Sequence, residues 1–352
     1  MAERWRTPLG SGPSAPPTTD GGLVFISLRA GRLSALAVAS GRERWSVEVE
    51  ATRAPAVGGG MLFVTTSNEI RALAADTGEV KWRFESGPVD AAPVWRDGWL
   101  IAGIESGEIL AIRATDGQLL WRRTVGRLSA APAVDGDRVV LPLVEGRVAL
   151  ADLATGEERW SRPLGGSPGR VLVDDDRVFV GAQDNFFYCL DARSGGVSWR
   201  WRTAADVVGL AVVDAERVYF VSLDNVVRAL DRFHGSQRWR RALPMRALDG
   251  PALMDDRILV SGLSADVVLF DKRDGSPAGR WTAWAELGAP IARVSGEVAL
   301  KSDVSLVAIA GAISGEWAAV GVGLSREPPL APLSTVPGMP LPPEVSPRLP
   351  GS

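Results

Sequence analysis

The chain has 352 residues, 39 of them basic and 42 acidic, giving a formal net charge of −3, and 46% of it is apolar. This balance gives no electrostatic footprint for nucleic acid, and no run of about 18 apolar residues offers a membrane-spanning helix. One cysteine, Cys189, excludes an intrachain disulfide and leaves the redox compartment open.

The first residues, MAERWRTPLG, contain no apolar h-region. The expectation is a protein that stays inside the cell, or one whose export segment has been removed. Trp5 is followed by RTPLGSGPSAPP, the same layout as Trp45 followed by SVEVEATRAPAV. The stretch around Trp5 is therefore expected to be the outer strand of a repeat whose other strands lie at the far end of the chain.

From there one module recurs. ALAADTGEVKW, ending at Trp82, is written again as ALAVASGRERW at Trp45, AIRATDGQLLW at Trp121, LADLATGEERW at Trp160, CLDARSGGVSW at Trp199 and ALDRFHGSQRW at Trp239, with looser copies at Trp281 and Trp317. The turn glycines Gly41, Gly78, Gly117, Gly156, Gly195, Gly235, Gly275 and Gly315 follow one another by 37, 39, 39, 39, 40, 40 and 40 residues. A fixed period of this size marks a repeat architecture.

Within each repeat a short strand begins near Ala54-Pro55, Ala92-Pro93, Ala131-Pro132, Gly250-Pro251 or Ala289-Pro290. A tight turn follows, at Gly58 to Gly60, Asp97-Gly98, Asp135-Gly136, Asp174 to Asp176 or Asp255-Asp256. Next come β-branched runs such as MLFVTT, RVFVGA and RVYFVS, then a polar turn and an alternating strand such as IRAL or VVRALD. A Thr-Gly or cognate turn leads into the strand that carries tryptophan, with glycine supplying the positive φ a short hairpin needs.

Four antiparallel strands in about 40 residues, without helical periodicity, predict an all-β, eight-bladed β-propeller of four-stranded blades over 1–323. An open solenoid is the alternative, and Trp5 separates the two, because a stray outer strand at the start is what ring closure needs. Trp5, Trp45, Trp82, Trp121, Trp160, Trp199, Trp239, Trp281 and Trp317 are expected to dock blade on blade. From Leu324 the pattern stops, and nine prolines in the last 28 residues predict an extended, disordered tail over 324–352, a linker or plain terminus, with a docking peptide as the alternative.

The module A-L-D-x-x-T-G-x-x-x-W, as in ALDRFHGSQRW and CLDARSGGVSW, resembles the PQQ-like repeat of β-propellers, over roughly Trp5 to Val322. The chain is most similar to the eight-repeat, single-domain members of that family. The resemblance implies a non-catalytic, monomeric, periplasmic scaffold whose protein partner is a subunit of outer-membrane β-barrel assembly. No lipid-bearing cysteine stands near the start, which leaves anchoring open. A PQQ-dependent dehydrogenase is the rival reading, and would need quinone, calcium and an aspartate base. The disulfide of adjacent cysteines that such enzymes often carry is excluded here, and neither PQQ nor calcium is expected. A cytoplasmic ligand-binding or sensor propeller is the third reading.

No catalytic, cofactor or metal residue is assigned from the sequence. Cys189 stands where Ala72 and Ala229 do and reads as a small buried hydrophobe. His234 stands where Thr77 does and reads as a turn residue. Asp184-Asn185 and Asp224-Asn225 share one turn position, where hairpin chemistry explains them without calcium. The turns that vary are free to recognise something. Arg53, Glu69, Asp90, Glu105, Arg127, Glu145, Asp206, Asp249 and Asp266 are therefore the candidate partner-binding face.

Overall fold

Runs such as Met61–Thr65, Arg138–Leu143 and Arg217–Ser222 become strands because branched and aromatic side chains pack well on a pleated surface. Each is the second strand of a four-stranded antiparallel sheet. A computed structural model describes residues 1–207, 209–247, 249–294, 305–312 and 315–323, and the Pro-rich stretch from Leu324 lies outside them. Seven sheets follow in chain order as blades 1 to 7, over 18–48, 56–85, 94–124, 133–163, 168–202, 212–242 and 252–282.

Blade 8 is assembled from both ends of the chain. Glu286–Leu287 and Ala292–Arg293 pair with Leu306–Gly311, which pairs with Trp317–Gly323. The outer strand is Ala2–Leu9, antiparallel to Trp317–Gly323, with Arg6 opposite Val320 and Leu9 opposite Trp317. The ring thereby has no open blade, and the eight-bladed propeller closes through the stretch around Trp5.

The third strands differ from the alternating pattern read in the sequence. Glu108–Arg113 and Val226–Asp231 are buried almost throughout, because neighbouring blades cover both faces of a blade's middle strands. Alternation belongs instead to the outer strands, such as Val80–Glu85 and Val197–Arg202, whose side chains point in turn to the next blade and to solvent. The core is correspondingly a series of inter-blade layers, as where Phe63 and Ile70 of blade 2 meet Leu100 and Leu110 of blade 3.

One contact repeats round the ring. The indole N–H groups of Trp5, Trp45, Trp82, Trp121, Trp160, Trp199 and Trp239 donate to the carbonyls of Val38, Ala75, Ala114, Leu153, Ala192, Arg232 and Lys272, each in the following blade, at 2.7 to 3.2 Å. Each ring lies flat on the hairpin glycine of that blade. A Cβ on Gly117 would come within 2.8 Å of Trp82, and one on Gly156 within 2.7 Å of Trp121. These glycines also hold φ near +70°, at +76° and +70° respectively, so position and conformation both demand glycine.

Two tryptophans of the expected set do something else. In blade 7 the register position of the docking tryptophan is held by Gly279, opposite Leu269. Trp281 lies two residues further on and is buried with Leu287, Leu306 and Val322 against blade 8. Trp317 opens the third strand of blade 8, not the fourth, and packs over Gly12, Gly288 and Gly311. The Gly315 turn before it joins the second and third strands of the blade, because the fourth strand comes from the start of the chain.

Trp121→Ala and Trp160→Ala are each expected to destabilise the ring by roughly 3 to 5 kcal/mol in urea unfolding, the usual cost of deleting a large buried aromatic. Trp5→Ala should cost a similar amount, since it makes the same contact across the closure. A loss below about 1 kcal/mol at Trp5 would show that the closure does not depend on docking.

Candidate functional site

Antiparallel strand order divides the turns between two faces. The connections from blade to blade and the turns between second and third strands share one, called here the connection face; the remaining hairpins share the other. The innermost strands are only two or three residues long in most blades and begin after proline, which has no N–H to leave unpaired. Their starts surround a central cavity of about 720 Å³ on the connection face, walled by Pro16, Pro17, Pro55, Pro93 and Pro290 with interleaved alanines. Arg53, Arg170, Arg293 and Asp249 are its charged side chains.

The charged residues expected to form a partner face do not form one cluster. Only Arg53 and Asp249 line the cavity. Arg53 Nε donates to the carbonyl of Asp90 at 3.2 Å, and Asp90 Oδ2 accepts the Leu128 N–H at 2.7 Å, so this pair stitches consecutive connections together. Burial raises the Asp90 carboxyl above the usual range, against the Leu128 N–H and the Arg127 and Arg53 charges, which lower it. Asp249 accepts from Leu210 N–H at 3.2 Å, from its neighbour Gly250 N–H at 2.7 Å, and from Arg170 Nη1 at 2.6 Å.

Glu69 is paired within its own blade with Arg71 and Arg83, and Asp266 with Thr282 and Arg280. The Asp206 carbonyl receives the Leu223 N–H at 2.9 Å. Glu105, Arg127 and Glu145 stand exposed on the connection face.

Sequence reasoning by charge passed over the apolar tips. Val144, Leu223 and Leu263 are 47%, 36% and 52% exposed at the turn between second and third strands, where burial would be expected of such side chains. Leu223 and Leu263, with Val221, Ala247 and Arg246, line a pocket of about 400 Å³ between blades 6 and 7. The signal was a single column of the repeat, Arg29, Ser67, Glu105, Val144, Gln183, Leu223 and Leu263, in which three of the seven tips of solvent-facing turns are apolar.

The remaining chemistry-bearing residues are explained by packing. Cys189 is fully buried between blades 5 and 6, and burial pushes its thiol up to about 12. Asp184 accepts from Tyr188 Oη at 2.5 Å and from Phe186 N–H, while Asp224 pairs with Arg228 at 2.7 Å; Asn185 and Asn225 hold φ of +63° and +59°. His234 is an exposed turn residue whose Nδ1 lies 3.2 Å from Asp231 Oδ1. Among the described residues no three His, Cys, Asp or Glu side chains come together as a metal site. Asp249 is the one carboxylate of the cavity wall among them, and it is already held by Arg170. That wall does not fit the oxygen-rich ligand set of a divalent cation.

The family model described as outer membrane protein assembly factor BamB matches residues 2–201 and 144–321. A curated relative, the outer membrane protein assembly factor BamB of Burkholderia pseudomallei (strain K96243), is 35% identical over 88 residues, which span 24% of this chain and 23% of that protein. BamB from Moraxella catarrhalis superposes with a TM-score of 0.74 at 19% identity, over 91% of this chain and 99% of that one. Quinohemoprotein alcohol dehydrogenase ADHIIG from Pseudomonas putida HK5 superposes at 0.72 with 13% identity, over 98% and 79%. At these identities the two structures share the fold alone.

The hairpin face carries a pH dependence. Burial works to raise the Asp231 carboxyl, but Arg238 and the N–H groups of His234 and Phe233 outweigh it and hold it down at about 2. A depressed carboxylate contributes stability that is present above its unfolded value and is lost as pH falls through its folded one. Asp231→Asn is therefore expected to cost about 1 to 2 kcal/mol at pH 7, allowing for the screening of the half-exposed Arg238. Urea unfolding should show the difference shrinking between about pH 4 and about pH 2; a constant difference would contradict the assignment.

Proposed function

Because the chain belongs to the family of the outer membrane protein assembly factor BamB, we propose that it is a non-catalytic scaffold for protein interaction in the assembly of outer-membrane β-barrels. The observation that carries this reading is the connection face, where Leu223 and Leu263 stand exposed beside a pocket between two blades. Contiguous exposed apolar surface rimmed by polar groups marks protein-interaction sites, and Leu223 and Leu263 share one pocket wall. The partner is a subunit of the barrel-assembly machinery, bound by a monomer in the periplasm.

Closure of the ring serves this role mechanically. Docked tryptophans fix seven of the eight blades against the next, so turns at the blade tips are presented on a rigid frame and binding orders few new groups. The quinoprotein reading gains nothing from the dehydrogenase superposition, which reflects fold, and the described cavity wall offers one carboxylate, already held by Arg170, where calcium takes an oxygen-rich ligand set.

Leu223→Glu combined with Leu263→Glu should leave thermal unfolding within a few degrees of the wild type, because both side chains are exposed. Recovery of a barrel-assembly subunit from the source cell envelope on the immobilised protein should fall at least about tenfold. Undiminished recovery would move the interface elsewhere. Failure of the wild-type protein to recover any such subunit would overturn the scaffold reading.

A further inference from the structure

The outermost strands carry their charge unevenly round the ring. In blades 3 to 6 they read LLWRRT, ERWSRP, VSWRWR and QRWRRA, with nine arginines against one carboxylate, Glu158. In the other four blades they read PAGRWT, AERWRTPL, ERWSVE and VKWRFE, with six basic residues against four acidic ones. Blades follow in chain order, so one side of the ring is cationic in a chain whose net charge is −3. Its centre is blades 5 and 6, whose outer strands hold five arginines and no carboxylate.

The fold uses only part of this charge. Arg159 is held by Asp137 and Asp152, Arg238 by Asp231, and Arg122 lies 3.9 Å from Glu108. Arg162 and Arg241 donate to carbonyls of the following blade, Gly195 at 2.6 Å and Asp274 at 2.8 Å, and the Asp274 carboxylate feels the Arg241 charge. Arg200 lies over the Phe186 ring at 4.7 Å, beside the Tyr188 hydroxyl that Asp184 accepts. Arg240 stands opposite Arg228, which Asp224 already holds, and like charges directly opposite destabilise a sheet. Arg200, Arg202 and Arg240 are exposed, and among the described residues none of them has a carboxylate within ion-pair distance.

Apolar tips accompany these arginines. Val197 and Phe233, 44% and 47% exposed, stand at the hairpin ends of blades 5 and 6, and Leu119, 37% exposed, at that of blade 3. Cations interleaved with exposed aliphatic and aromatic side chains suit the headgroup layer of an anionic bilayer. We propose that this side of the ring, centred on the outer strands of blades 5 and 6, lies against a membrane surface of anionic phospholipid. The arginines line neither the central cavity nor the pocket between blades 6 and 7, so they do not surround a concave anchor of the kind a protein partner fills. The indoles of Trp199 and Trp239, which could stack on bases, are spent on docking. Mobile headgroups need neither. The surface is on the rim, apart from Leu223 and Leu263, so it stands or falls independently of the scaffold reading.

The test is flotation of the whole protein with vesicles of phosphatidylcholine, alone or with roughly a third phosphatidylglycerol. The protein should bind the anionic vesicles and not the neutral ones, and binding should fall steeply between about 50 and about 500 mM salt. Arg200→Gln, Arg202→Gln and Arg240→Gln combined should weaken it at least about thirtyfold, since each arginine near an anionic surface is worth about fivefold. Arg44→Gln, Lys81→Gln and Arg83→Gln combined remove the same charge from the other side and should weaken it less than about threefold, being more than a Debye length from the membrane. Val197→Glu with Phe233→Glu should weaken it at least about tenfold and covers the case in which the arginine variant does not fold.

Absence of binding to anionic vesicles, or equal binding to neutral ones, would overturn the proposal. Equal losses in the two triple variants would show attraction without a preferred side and overturn it as well. Tighter binding of duplex DNA than of the anionic vesicles at the same salt would assign the surface to nucleic acid instead.

Discussion

The tryptophan that lies on its neighbour's hairpin glycine is the constraint on which the rest of the propeller depends. The indole must reach a carbonyl of the next blade and lay its face on a residue with no Cβ, held at positive φ. Both demands fix the hairpin of one blade against the outer strand of the one before it. Once that distance is set, the middle strands are sandwiched on both faces and must be apolar throughout, as Val140, Leu141, Val148 and Leu150 are in blade 4. The outer strands, covered on one side, are left to alternate.

The same contact closes the ring. Trp5 donates to Val38 as Trp45 donates to Ala75, although Trp5 has no hairpin before it in the sequence. Its partner strands arrive from residues 306–323, so the eighth blade exists only when the two ends of the chain meet. Closure of this kind leaves no terminal blade with an uncovered apolar face, as an open array would, and the edges that remain are the short outer strands.

Period, blade number and closure were legible because glycine and tryptophan are hard to replace at this contact. The two misplaced tryptophans show where the signal lay. Six hairpins put tryptophan four residues after glycine, from Gly41 and Trp45 to Gly235 and Trp239, whereas Trp281 follows Gly275 by six and Trp317 follows Gly315 by two. Spacing, more than the presence of the pair, marks the docked position. The site was less legible. Charged residues on varying turns look free for recognition in sequence, but Asp90 and Asp249 hold neighbouring connections together, and a single sequence does not display bonds between residues 38 or 39 positions apart. The apolar tips Leu223 and Leu263, exposed in the fold, look in sequence like continuations of the strands beside them.

A rigid ring whose hairpin face is committed to docking leaves the connection face as the place we propose for recognition. The measurement that tests this division most directly is hydrogen exchange of the protein alone and with a purified barrel-assembly subunit, read peptide by peptide. The account predicts new protection at the turns around Leu223 and Leu263 and none at the hairpins around Gly117, Gly156 and Gly235. Protection confined to those hairpins, or spread evenly round the ring, would contradict it.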